Sequence, residues 1–400
     1  MLIFVDRSEH YSGMHRAGWK YVMDCLMDDG VCSIESDILF DSVLDVIGSN
    51  VYTSPWIGCI HHPFSDNCAS LISKPSFLYS LRHCKALITL TNYLKDQLVE
   101  ELYKRNINVP VYVIIHPTDF DCPRFTFANF RKKVVQVGGW LRNPFSIYAL
   151  QTAYDIKKYA LKSRRMEEYF PQRRPTSTST SSSRPQIQWL SRPQTRSEET
   201  RHDLYGLTHN IFYRSMEQYI DHSIKSVTVI DHLTNNQYDI LLSESIVFIN
   251  LVDCSAVNTV IECIARNTPV IVNFHPALVE VLGIDYPGFY WNMYQASLLV
   301  NSQWSLYRIH IFLLNMDKTH LKINTFVNDF NNMLLDIDQI VEVTYTPPII
   351  EECSICMESV VSDVFITNCN HIFHSACIRN LVSYSGGYTR CPICRSMLST

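Results

Sequence analysis

The side chains best equipped for chemistry in this 400-residue sequence lie near its carboxyl end. They read Cys353-x-x-Cys356, twelve residues, Cys369-x-His371-x-x-His374-x-x-Cys377, thirteen residues, then Cys391-x-x-Cys394. Thiolate and imidazole are the ligands zinc prefers, and a Cys-x-x-Cys turn brings two sulfurs to one ion at about 2.3 Å. Eight such ligands make two tetrahedral sites, so the spacing implies two zinc ions. One Cys-x-x-Cys arises by chance; four ligand pairs in order do not. A segment this short has almost no core of its own, and metal binding would supply most of its folding free energy.

The ligand order Cys, Cys, Cys, His, His, Cys, Cys, Cys resembles that of a RING finger of the variety with two central histidines, over Glu351 to Arg395. A PHD-type finger is the main alternative. It carries its single histidine at the fifth ligand position and usually a Trp before its last pair, whereas this segment has no Trp. The resemblance implies a cross-braced arrangement in which Cys353, Cys356, His374 and Cys377 hold one zinc and Cys369, His371, Cys391 and Cys394 the other. It also implies a ubiquitin ligase, which grips a ubiquitin-conjugating enzyme and holds its thioester-linked ubiquitin in a reactive pose. Catalysis of that kind is by positioning. Ile355, inside the first Cys pair, and Pro392, inside the last, match the family's contacts to the conjugating enzyme, and Arg395 matches the arginine that bridges to ubiquitin. Leu381 stands four residues after Cys377, where many such fingers have Trp; it keeps the groove apolar and removes an aromatic anchor. A RING finger used only for assembly is the competing expectation.

A second constellation lies upstream. Asn258-Thr-Val-Ile-Glu262-Cys-Ile-Ala-Arg-Asn-Thr-Pro269-Val-Ile-Val, followed by Pro276-Ala-Leu-Val-Glu280-Val-Leu-Gly, resembles the donor-binding half of retaining glycosyltransferases of the two-Rossmann (GT-B) type. The resemblance implies that Glu262 binds the ribose of a nucleotide sugar. Val137-Gly138-Gly139-Trp-Leu-Arg142 resembles the turn where glycine lets the backbone approach a diphosphate and a basic residue neutralises it. Two positions depart from the pattern. Cys254 stands where the family has its first glutamate, with Asp253 one residue out of register, and Asn143 to Leu150 contains no basic residue where a lysine is expected. In the amino-terminal half, Ser12-Gly13 follows the first strand where an acceptor loop would lie, and His61-His62-Pro63 ends another strand. His116-Pro117-Thr118 reads as a hinge into the second half. The expected roles for this region are a recognition platform for a protein or glycan substrate, or a working glycosyltransferase.

The elements that must position these residues are legible as apolar runs alternating with helical periods. Strands are expected at Leu2 to Val5, Trp56 to Ile60, Ala86 to Thr91 and Val111 to Ile115, with a helix whose Leu94, Leu98 and Leu102 form one stripe. A second unit begins with a strand at Val134 to Val137 and a helical stretch from Pro144 to Ala160. It resumes with strands at Val227 to Ile230, Ile246 to Leu251 and Pro269 to Asn273, helices at Val257 to Arg266 and Pro276 to Leu282, and a helical tail from Asn324 to Ile340. Two doubly wound halves are the simplest expectation. The fold class is thus α/β, two Rossmann-like domains (GT-B-like) at 1–128 and 129–345, then a small two-zinc RING finger at 350–400. Arg173 to Thr200, rich in Ser, Thr, Pro and Arg, is expected as a disordered insertion, and Pro347-Pro348 as a linker.

Composition narrows the rest. Apolar residues make up 46% and charged residues 18%, which excludes global disorder. The net charge of −5 argues against a chain that coats nucleic acid; the basic part, Lys157 to Arg201, is local. No window approaches the roughly 18 apolar residues that span a bilayer, and Arg7, Glu9 and His10 interrupt any signal sequence. Six of the fourteen cysteines belong to the metal-ligand segment, so the expected compartment is reducing, intracellular and cytoplasmic.

Overall fold

A computed structural model describes residues 2–5, 18–27, 37–47, 51–161, 226–230, 233–339, 352–358, 360, 364–384 and 390–398. The insertion expected at 173–200, the loop at Ser12-Gly13 and the linker at Pro347-Pro348 lie outside these residues.

The first half is a parallel sheet of β1 (Leu2–Phe4), β2 (Ile38–Asp41), β3 (Trp56–Ile60), β4 (Cys84–Thr89) and β5 (Val111–Val113), ordered as they occur in the chain. That order lacks the reversal of a doubly wound sheet among the described strands. All five residues of β3 are buried, as they must be in a sheet covered on both faces. α1 (Trp19–Met27) lies on one face, with Val22, Met23 and Leu26 in the core. Leu44 of α2 (Leu44–Ile47), Leu71 of α3 (Ala69–Leu71), Phe77 of α4 (Pro75–Ser80) and the Leu94, Leu98, Leu102 stripe of α5 (Asn92–Lys104) share the core on the other.

The second half is a six-stranded parallel sheet of β6 (Lys133–Gln136), β7 (Lys157–Leu161), β8 (Val227–Ile230), β9 (Ser245–Ile249), β10 (Val270–Asn273) and β11 (Phe289–Tyr290). Its order, β11-β10-β9-β6-β7-β8, reverses between β6 and β9, the switch point at which such sheets bind ligands beyond the carboxyl ends of their strands. The helices are α6 (Ser146–Ala149), α7 (Asn235–Glu244), α8 (Asn258–Arg266), α9 (Pro276–Leu282), α10 (Met293–Asn301) and α11 (Gln303–Asn315).

The helical stretch expected from Pro144 to Ala160 is a single turn, α6, and then strand β7. The ammonium of Lys158 donates to the carbonyls of Tyr148 and Leu150, at 3.1 Å each, and so satisfies groups that a continuing helix would have bonded. β7 is meanwhile held between β6 and β8. Tertiary pairing overrides local period here.

α12 (Ile323–Gln339) follows the second half in sequence but packs on the first. Its stripe Phe326, Phe330, Met333, Leu334 and Ile337 shares one core with Leu2, Val22, Phe40, Ile57 and Ile88. The two chain crossings between halves lie side by side, Thr118 N–H donating to the Leu321 carbonyl at 2.9 Å. In the carboxyl tail β12 (Val364–Ile366) pairs antiparallel with β13 (Ile372–His374), and α13 (Ser375–Tyr384) follows. Among the described residues no helix is long and apolar enough to cross a membrane.

Candidate functional site

The tail gathers its eight ligand residues into two groups, Cys353, Cys356, His374, Cys377 and Cys369, His371, Cys391, Cys394, the ligand atoms of each lying within 4.8 Å of one another. The groups interleave in sequence as a cross-brace. Backbone geometry builds each Cys-x-x-Cys turn: Met357 N–H donates to the Cys353 carbonyl at 2.7 Å and Arg395 N–H to that of Cys391 at 2.9 Å. The residue after each pair is left-handed, Met357 at φ 61° and Arg395 at φ 63°. β13 ends in His374, and α13 presents Cys377 one turn later.

The donor set fits zinc. A tetrahedral ion with bonds of about 2.3 Å to sulfur and about 2.0 Å to nitrogen places those atoms about 3.5 Å apart. Nδ1 of His374 lies 3.3 Å from Cys356 Sγ, and Nδ1 of His371 lies 3.4 Å from Cys369 Sγ and 3.5 Å from Cys391 Sγ. Both imidazoles therefore turn the same nitrogen toward the centre of their group.

Around these groups Ile355 is 36% exposed, and Pro392 and Arg395 are exposed. Leu381 is half-buried and packs against the tail's own core of Val360, Ile372, Phe373 and Ile378. Ile393, 51% exposed beside Pro392, is a further apolar surface residue that the sequence reading passed over. Its signal was available: an aliphatic residue inside a turn too tight to bury it.

The other residues singled out meet where the carboxyl ends of both sheets face each other. After β6, Gly138 is left-handed at φ 79° and so is Leu141 at φ 53°. The chain then turns back, and Arg142 folds over the turn. Its guanidinium donates to the Val137 carbonyl and to Thr259 Oγ1, the latter at 3.3 Å, and fills the space beside Gly138 where a side chain would stand. Gly139 lies on the same turn. Glu262, on α8, is 1% exposed. One carboxylate oxygen accepts from the Tyr238 hydroxyl at 2.7 Å, and the other has no hydrogen-bond partner among the described residues. Burial raises its pKa, an effect opposed by Arg266 and by the Tyr238 hydrogen bond. Glu262 thus belongs to the interior of the second half, and the half-buried Arg142 occupies the space beside Gly138.

Opposite them, Asp45 Oδ2 accepts from the backbone N–H groups of His61 (3.0 Å) and His62 (2.5 Å). The His61 Nε2 nitrogen lies 2.7 Å from the Ser42 carbonyl, and burial lowers the ring's pKa to about 4. It is neutral near pH 7, and that nitrogen carries the proton. The His62 ring packs against Trp140 of the second half, tilted at 43° with centroids 4.4 Å apart, and Trp140 Nε1 donates to Asp66 at 2.7 Å. His116 Nδ1 lies 2.6 Å from the Pro117 carbonyl, at the crossing between the halves. Asp253, beside Cys254, bonds His275 Nε2 at 3.0 Å, and Cys254 Sγ lies 3.2 Å from His275 Nδ1.

In comparison with known proteins, residues 351–395 match the family model described as the Ring finger domain, and the tail is a RING finger. No curated protein sequence matches the chain. HepE of Anabaena, solved in complex with UDP and glucose, aligns at a TM-score of 0.51 and 10% identity, covering 80% of this chain and 81% of that one. The UDP-forming alpha,alpha-trehalose-phosphate synthase of Burkholderia xenovorans aligns at a TM-score of 0.45 and 8% identity, covering 84% and 81%. The likeness to HepE shows the fold: the two halves have the GT-B architecture of glycosyltransferases.

Proposed function

We propose that this chain is a RING-type ubiquitin ligase whose GT-B-like part recognises the substrate. The observation that supports it most is the pair of interleaved ligand groups, whose turns leave Ile355, Pro392 and Ile393 at the surface. Two zinc ions would fix those turns and supply folding energy; they take no part in bond making. Ile355, Pro392 and Ile393 would seat a ubiquitin-conjugating enzyme, with Leu381 supporting the surface from its half-buried position. Arg395 would hold the ubiquitin carried on that enzyme, so that its thioester meets an incoming lysine in a reactive pose. The site of action would be intracellular, where ubiquitin and its conjugating enzymes reside.

Autoubiquitination with a panel of conjugating enzymes tests this reading. Ile355→Ala and Arg395→Ala should each reduce chain formation at least about tenfold, as loss of an interface anchor worth more than about 1.4 kcal/mol does. Stripping the metal with a chelator should abolish it. Chains that persist undiminished in both variants, or no chains with any conjugating enzyme, would leave the RING finger an assembly module.

A second reading is a nucleotide-sugar-dependent glycosyltransferase carrying a RING finger for assembly. It is favoured by the unengaged, buried carboxylate oxygen of Glu262, and by the fold likeness to HepE, solved in complex with UDP and glucose. Gly138, Gly139, Arg142 and Glu262 would form its donor site.

A further inference from the structure

Besides Asp66, which holds Trp140 from the first half, two carboxylates of the second half clasp the cleft between the halves. Glu280 of α9 accepts from the backbone N–H of Asn92 at 2.6 Å, from that of Tyr93 at 2.7 Å and from the Asn92 side-chain amide at 3.0 Å. Asn92 and Tyr93 are the first two residues of α5, and the next N–H, that of Leu94, is taken by Thr91. Glu280 therefore completes the amino-terminal cap of a helix that belongs to the other half. A carboxylate there gains from charge-assisted hydrogen bonds and from the positive end of the helix dipole. Asp253 supports it, accepting from Ser65 Oγ and, at 3.3 Å, from the Tyr93 hydroxyl, both in the first half.

Under this clasp lies Cys254, 3% exposed. Its thiol points at His275 Nδ1, and the Tyr93 ring covers His275 edge-on at 4.9 Å. Asn92 is exposed, so water can compete for the groups that Glu280 holds. Remove the carboxylate and the N–H groups return to solvent, leaving α9 tied to the amino end of α5 through Asp253, which bonds both His275 and the Tyr93 hydroxyl.

We propose that Glu280 is a latch that holds the cleft shut, and that the Cys254 thiol reaches solvent only when the latch releases. The test is iodoacetamide labelling of the full chain, read cysteine by cysteine by peptide mass spectrometry, with small-angle scattering of the same samples. Glu280→Ala should raise the labelling rate of Cys254 at least about tenfold and enlarge the radius of gyration; Glu280→Gln, which keeps one acceptor, should fall between. Cys59 and Cys84, buried in the first half at 0% and 4% exposed, report unfolding and should keep their slow rates. An unchanged Cys254 rate in Glu280→Ala overturns the proposal. So does a rise shared by Cys59 and Cys84, which would mean that the chain unfolds rather than opens.

Discussion

Glu262, which the resemblance to retaining glycosyltransferases implies as a ribose ligand, carries a carboxyl group that the fold seals against Tyr238. Burial raises its pKa from 4.5, so folding favours the protonated form relative to the unfolded chain. The stability this group contributes is full below the unfolded value and is lost as pH rises through the folded one. Glu262→Gln keeps an acceptor for Tyr238 without the charge. Its melting temperature should therefore fall less than that of the natural chain between pH 5 and pH 8, by calorimetry; equal slopes would place the carboxylate in solvent. The register of Glu262 was legible because the helix and the Pro269 strand that follow it are local. Its partner was not, since Tyr238 lies on the neighbouring helix and only tertiary packing joins them. The zinc ligands show the converse: paired spacings encode them locally, and the structure gathers all eight.

At the scale of elements, the apolar stripe of α12 is plain in the sequence, but a stripe does not say which sheet it covers. Among the described residues α1 is the other helix on that face, and α12 lies beside it with Phe326 and Phe330, stacked at 6.2 Å. Phe330→Ala should cost about 3–5 kcal/mol. Hydrogen exchange should locate that loss in β1–β4, with β6–β11 protected as before; a loss spread evenly over both sheets would contradict the packing. β7 was misread for the opposite reason, because its Lys158 is spent on the carbonyls of a turn that local period extends into a helix. Strands whose pattern alternates or runs apolar, such as β3 and β8, were placed to the residue.

At the scale of the molecule, a GT-B fold and a RING finger are two devices with separate readouts, and a thermal scan separates them. If the cleft binds a donor, a nucleoside diphosphate at a hundredfold excess over its Kd stabilises the native state by about 2.7 kcal/mol, and Glu262→Ala and Arg142→Ala should each remove the shift. No shift with uridine, guanosine or adenosine diphosphates would leave recognition as the role of this part. The path of the chain also sets a schedule for its birth. β1 to β5 leave the ribosome first, yet the helix that covers one face of their sheet ends at Gln339. At 5–20 residues per second the intervening 220 or so residues take roughly 11–45 s to make. For that time the apolar face around Phe40, Ile57 and Ile88 has the α12 side of its cover missing on the nascent chain, with α1 alone of the described helices against it. A chaperone that shields such faces thus has a defined window, which closes when α12 emerges.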